Sequence, residues 1–119
     1  MVGQLTTHVL DIAHGLPAEG MKIELWRLEE GGEKKHLKTV LTNTDGRTNA
    51  PLLQDEELKR GVYELVFFVG DYFGEFSENS PDPVFLDQVP IRFGVSDIAA
   101  HYHVPLLTAP WSYSTYRGS

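Results

Sequence analysis

In the stretch HYHVPLL, His101 and His103 are separated by one residue. Alternate side chains of a strand share a face, so both imidazoles would point one way and Tyr102 the other. Two imidazoles on one face can hold a metal or move protons, since imidazole titrates at about 6.5 when unperturbed. The same spacing also describes two half-exposed surface histidines. His8 lies in LTTHVLD, where Leu5, Thr7 and Val9 read as a core face and Thr6, His8 and Leu10 as the outward face. An outward histidine is either solvated surface or the lining of a cleft where subunits meet. Arg47 follows the tight-turn signal TDG. It is either solvated or placed to reach over a neighbouring site, and arginine is the preferred partner of a planar oxyanion or carboxylate. Arg92 alternates with Ile91 and Phe93 and reads as the wet face of a strand. In SYSTYRGS, Tyr113 and Thr115 share one face, and Ser114 and Tyr116 the other. The Tyr116 phenol either packs or binds a polar ligand. Gly118 permits a sharp bend that turns the segment inward.

These residues must be positioned by short strands. QLTTHVLD, MKIELWRL, KHLKTVLTN, VYELVFFV, VPIRFGV, HYHVPLL and SYSTYR all read as strands, bounded by Gly/Pro-rich loops and turns such as HGLPAEG, EEGGE and TDG. RTNAPLL reads as a short edge strand, with Pro51 limiting its pairing. VYELVFFV is the most apolar and is expected to be central. QDEELKRG offers a helical turn, and GDYFGEFSENSPDP a loop with a short helix at its start. About eight short strands with little helix predict an all-β, two-sheet sandwich.

Composition narrows the function classes. At 119 residues the chain is expected to form one domain over residues 1–119. The net charge of −7 argues against nucleic acid and against an anionic membrane surface as partners. No cysteine is present, so neither disulfides nor thiol chemistry can operate. No basic region followed by an apolar run opens the sequence, and the closing RGS is not a peroxisomal SKL tag, so cytoplasm is the expected compartment. There is no GxSxG nucleophile elbow, no glycine-rich phosphate loop and no calcium-loop spacing.

Four separated stretches, LTTHVLD, TNTDGRT, GDYF with FLDQVPIRFGV, and HYHVPLLTAPWSYSTYRGS, give the chain a resemblance to the 5-hydroxyisourate hydrolase family, the transthyretin-related enzymes of purine breakdown. The likeness runs nearly the whole length. YRGS is its specific part, because the hormone-carrying transthyretins lack it. The resemblance implies a prealbumin-like β-sandwich with one short helix, assembled as a homotetramer with active sites in the channel where two dimers meet. It implies His8, Arg47 and His103 as catalytic residues, and His8, Arg47 and Tyr116 as substrate contacts. His101, Ser114, Arg117, Gly118 and Ser119 match positions that line or support the site. It also implies a cofactor-free, metal-free hydrolysis of the lactam bond of 5-hydroxyisourate, giving 2-oxo-4-hydroxy-4-carboxy-5-ureidoimidazoline.

Two other readings stay open on residue types alone. His8, His101 and His103 could form a three-histidine zinc site activating a water. A transthyretin-like carrier could bind a small aromatic ligand in the same channel.

Overall fold

The structure, a computed structural model, describes residues 3–119. Burial alternates along the whole of strand β1, Gln4–Asp11, with Leu5, Thr7 and Val9 buried. That period of two is the physical reason the segment is a half-buried strand. The remaining strands are β2 (Leu16–Pro17), β3 (Lys22–Leu28), β4 (Lys34–Leu41), β5 (Leu53–Gln54), β6 (Gly61–Phe68), β7 (Gln88–Val95), β8 (His101–Ala109) and β9 (Ser112–Thr115). A 3-10 turn at Asp55–Glu57 precedes β6, and helix α1, Val69–Gly74, follows it.

The strands form two sheets. One runs β2-β1-β8-β9, with β5 also paired to β1, and the other runs β4-β3-β6-β7. The β1–β8 pair is parallel and every other pair is antiparallel. Leu5, Val9 and Leu106 from the first sheet join Ile23, Leu25, Leu65 and Phe67 from the second in one buried cluster. Burying such a side chain fully contributes about 1.5–3 kcal/mol, so this cluster is what fixes the sheets face to face. β6 is interior to its sheet, as its apolar sequence predicts, and Tyr63 to Phe67 are all buried. Glu64 within it is neutralised from outside by Lys34 at 3.0 Å and by the exposed Arg92 at 3.3 Å.

Two details differ from the sequence expectation. The edge strand expected over RTNAPLL is reduced to an isolated bridge at Arg47 and the two-residue β5. Pro51 has no N–H to donate, and the Thr48 hydroxyl bonds locally to the Ala50 carbonyl, so this segment turns instead of pairing. The loop HGLPAEG also contributes a short strand, β2, bringing the total to nine among the described residues. No helix among them is long and apolar enough to cross a membrane.

Candidate functional site

The parallel register of β1 and β8 sets Thr6 opposite His103 and Gln4 opposite His101. Tyr102 is buried on the inner face, and the two flanking histidines point outward together. Between their rings stands the Thr6 hydroxyl. Thr6 Oγ1 lies 2.7 Å from His101 Nε2 and 2.8 Å from His103 Nδ1. Thr6 was not among the residues that the spacing or the resemblance singled out. Its signal was present only in its sharing the outward face of β1 with His8.

Arg47 reaches this face because its turn is clamped from within. Asn43 Oδ1 accepts hydrogen bonds from the Asp45 and Arg47 N–H groups at 2.9 and 3.1 Å, and the Arg47 carbonyl accepts from the Asn43 N–H at 2.7 Å. Gly46 sits at φ +76, and a Cβ there would run into the Val9 carbonyl, so only glycine lets the turn close against β1. Val9 N–H then bonds the Gly46 carbonyl at 2.8 Å, and Arg47 pairs with His8 in an antiparallel bridge. The His8 Nε2–H donates to the Asp45 carbonyl at 2.8 Å. A carbonyl only accepts, so this bond places the ring proton on Nε2 and leaves Nδ1 for other partners.

The closing segment returns to the same place. Gly118 N–H donates to the His103 carbonyl at 2.8 Å. Gly118 has no positive φ, so conformational freedom is not what requires it. A Cβ at this position would overlap the His103 imidazole, and close approach is the reason for glycine. The Thr115 hydroxyl ties the segment to the Pro105 carbonyl at 2.7 Å. The Arg117 guanidinium lies over the Tyr102 ring, 4.4 Å from its centroid.

Thr6, Arg47, Asn49, His101, His103 and Ser119 line one polar cleft of about 390 Å³. His8 borders this group without lining the cleft, and Ser114 and Tyr116 do not line it. Ser114 pairs with Leu107 on the exposed β9, and Tyr116 is 60% exposed. Within one chain, then, the tyrosine expected to contact substrate stands outside the cleft. Larger hollows of about 920 Å³ beside Leu58 and about 590 Å³ beside Phe76 carry none of the residues singled out above.

Burial, and after it the positive charges of Arg47, His101 and His8, holds the His103 imidazole below its usual value. A neutral imidazole beside a guanidinium can take a proton from water while the cation stabilises a developing oxyanion. The three-histidine metal reading finds no assembled ligand set. Among the described residues no three His, Cys, Asp or Glu side chains are grouped to hold a metal. His101 Nε2 and His103 Nδ1 turn to Thr6, and His8 Nε2 turns to Asp45.

Residues 5–118 match the HIUase/Transthyretin family. Over 118 residues the chain is 57% identical to 5-hydroxyisourate hydrolase 2 of Rhizobium meliloti (strain 1021), covering 98% of this chain and 97% of that protein. The solved structure of Klebsiella pneumoniae 5-hydroxyisourate hydrolase is similar with a TM-score of 0.78 at 36% identity, covering 98% of this chain and 99% of that one. A crystal structure of (S)-allantoin synthase gives a TM-score of 0.91 at 46% identity, and the chain, 98% covered, spans 44% of that longer protein.

Proposed function

Since the chain belongs to the HIUase/Transthyretin family, we propose that it hydrolyses 5-hydroxyisourate to 2-oxo-4-hydroxy-4-carboxy-5-ureidoimidazoline in purine breakdown, as one hydrolase domain spanning residues 1–119. The observation that carries the reading is the meeting of His103 and Arg47 in one polar cleft. A pocket of this size suits a small flat molecule rich in hydrogen-bonding groups.

His103 is the general base. It lines the cleft, and its surroundings favour the neutral form. Its Nε2 makes no hydrogen bond among the described residues, while its Nδ1 meets the Thr6 hydroxyl. Nε2 removes a proton from water, and the hydroxide attacks the lactam carbonyl. Arg47 holds the oxyanion that forms there, a role that a planar, permanently charged group fills well. The carbon–nitrogen bond then breaks, and the leaving nitrogen takes the proton back from the imidazolium. His8, with Nδ1 available, is the second proton-transfer group and a substrate contact. No protein nucleophile, metal or cofactor enters these steps.

The tetramer belongs to the same proposal. Ile12 N–H bonds the Thr108 carbonyl, which brings Ile12 to the end of the sheet where the β8–β9 turn carries Trp111. Ile12 is 51% exposed and Trp111 67%, an apolar end suited to a second copy. Tyr116 and Ser114, outside their own cleft, complete a site only across such an interface. Light scattering tests the assembly, and a fully active monomer would contradict a shared site. The cytoplasmic location is tested by cell fractionation.

The activity itself is tested by following freshly generated 5-hydroxyisourate in a spectrophotometer. Its disappearance in the presence of the protein must outpace its spontaneous decay, and decay at the spontaneous rate refutes the reading.

A further inference from the structure

The Thr6 hydroxyl carries one hydrogen and faces two ring nitrogens, His101 Nε2 at 2.7 Å and His103 Nδ1 at 2.8 Å. It makes no third hydrogen bond among the described residues. With both rings neutral, the hydroxyl hydrogen is used, and both bonds are made, in only two ways. In one, His103 Nδ1–H donates to Thr6 and Thr6 O–H donates to His101 Nε2, which leaves His103 Nε2 bare. In the other, every donor is reversed and His103 Nε2 carries the hydrogen. The tautomers of the two histidines are therefore coupled through one hydroxyl.

We propose that Thr6 is a positioning residue that fixes the tautomer of His103 and shares its proton with His101. The inference rests on the assignment of His103 as the base. In the first arrangement His103 Nε2 is a bare lone pair in the cleft, ready for water. Once it takes a proton, His103 Nδ1–H passes its hydrogen to Thr6 Oγ1 as Thr6 passes its own to His101 Nε2. His103 is then neutral with its hydrogen on Nε2, and the positive charge rests on His101. The His101 ring is exposed, so water solvates that charge better there than on the half-buried His103. Reversal of the shift accompanies donation of the His103 Nε2 hydrogen to the leaving nitrogen, and no net proton is gained or lost.

The remaining charged neighbours fit this division of labour. Arg47, from the loop after β4, and His8, from β1, face His103 together with His101, and all three repel a lasting positive charge on it. No carboxylate bonds either His101 or His103 among the described residues. The hydroxyl is thus the group that orients the base, a task more often given to an acid.

Thr6→Val and Thr6→Ala both remove the hydroxyl, and Thr6→Ser keeps it. The test combines steady-state kinetics with 15N NMR of the histidine rings above the imidazole titration. In the wild type and Thr6→Ser, His103 should carry its hydrogen on Nδ1. In Thr6→Val and Thr6→Ala it should shift to the Nε2–H form that a neutral imidazole ordinarily favours. Both should lose kcat by about 10- to 100-fold with KM little changed, by analogy with removal of the outer hydrogen-bond partner of a metal-bound histidine. Thr6→Ser should restore it, and the melting temperatures confirm that each variant is folded. An unchanged His103 tautomer in both hydroxyl-free variants, or unchanged kcat in both, overturns the inference. The NMR result does not depend on the substrate, so it separates failure of the Thr6 coupling from failure of the proposed hydrolysis.

Discussion

His14 and His103 each stand beside a residue of β1, and what anchors them differs. His14 Nδ1–H donates to Asp11 Oδ2 at 2.7 Å, and its ring stacks on Phe76 with centroids 4.3 Å apart. The Asp11 carboxylate also accepts the Tyr72 hydroxyl at 2.8 Å and the Ala13 and His14 N–H groups at 3.0 and 2.9 Å. Burial alone would raise the Asp11 carboxyl. The bonds from Tyr72 and His14, with the charge of His14, outweigh it and hold Asp11 below its usual value. This aspartate–histidine pair has the look of a catalytic dyad. Its bonds instead tie the β1–β2 loop to helix α1, and every acceptor position of the carboxylate is used. His103 is anchored by one hydroxyl, shares a polar cleft with the Arg47 guanidinium, and keeps Nε2 uncommitted. Nε2 makes no hydrogen bond in either ring among the described residues, so what separates the two is the neighbouring cation: no lysine or arginine lines the hollow beside His14, whereas Arg47 lines the cleft with His103.

That contrast is broken most severely at the tail. Deleting Tyr116 to Ser119 removes Ser119 from the cleft and the Gly118 bond to the His103 carbonyl. Activity should fall by more than about a hundredfold, with only a modest drop in melting temperature, since the segment buries little. An unchanged rate would make the tail ordinary strand packing. Arg47→Lys should cost about a hundredfold in kcat/KM, because an ammonium cannot reproduce the planar contact to an oxyanion. Asp11→Ala should do the reverse. Denaturant unfolding should register a loss of about 3 kcal/mol, as the Tyr72 hydroxyl is left buried without its acceptor. The rate per folded molecule should stay near wild type, and a large loss of rate would bring the Asp11–His14 pair into the chemistry.

Some of this arrangement was legible in the chain and some was not, for reasons of range. Alternation in LTTHVLD and HYHVPLL is local, and it correctly gives the faces of His8, His101 and His103. The turn chemistry of NTDGR likewise announces the tight loop before Arg47. The coupling of Thr6 to His103 joins residues 97 positions apart and follows from the parallel register of β1 on β8, which no local pattern encodes. The Asp11–Tyr72 bond spans 61 positions and was equally hidden. The sequence suggests only that Gly118 permits a bend; its actual reason is the imidazole packed against it. Tyr116 illustrates the opposite limit. Its type suggests a ligand contact, yet within one chain it is 60% exposed and outside the cleft, so its expected role rests on the proposed assembly.

Two smaller effects sharpen the contrast. The active form of His103 is neutral, so activity falls as pH drops through its titration. Its value is held below the usual 6.5, and the acid limb of kcat/KM should therefore lie below pH 6.5. A limb above that value would assign the base elsewhere. Exhaustive chelation should leave the rate unchanged, while loss on chelation with recovery on adding zinc would revive the metal reading.

The most direct measurement compares wild type, His103→Asn and Asp11→Ala in one 5-hydroxyisourate decay assay at neutral pH, with thermal melts alongside. Removing the general base should slow His103→Asn by about a hundredfold to ten-thousandfold at nearly unchanged melting temperature, and Asp11→Ala should melt lower yet turn over normally. Near-full activity in a folded His103→Asn, or inactivity of folded Asp11→Ala, would contradict the assignment of the chemistry to the Thr6–His103–Arg47 cleft.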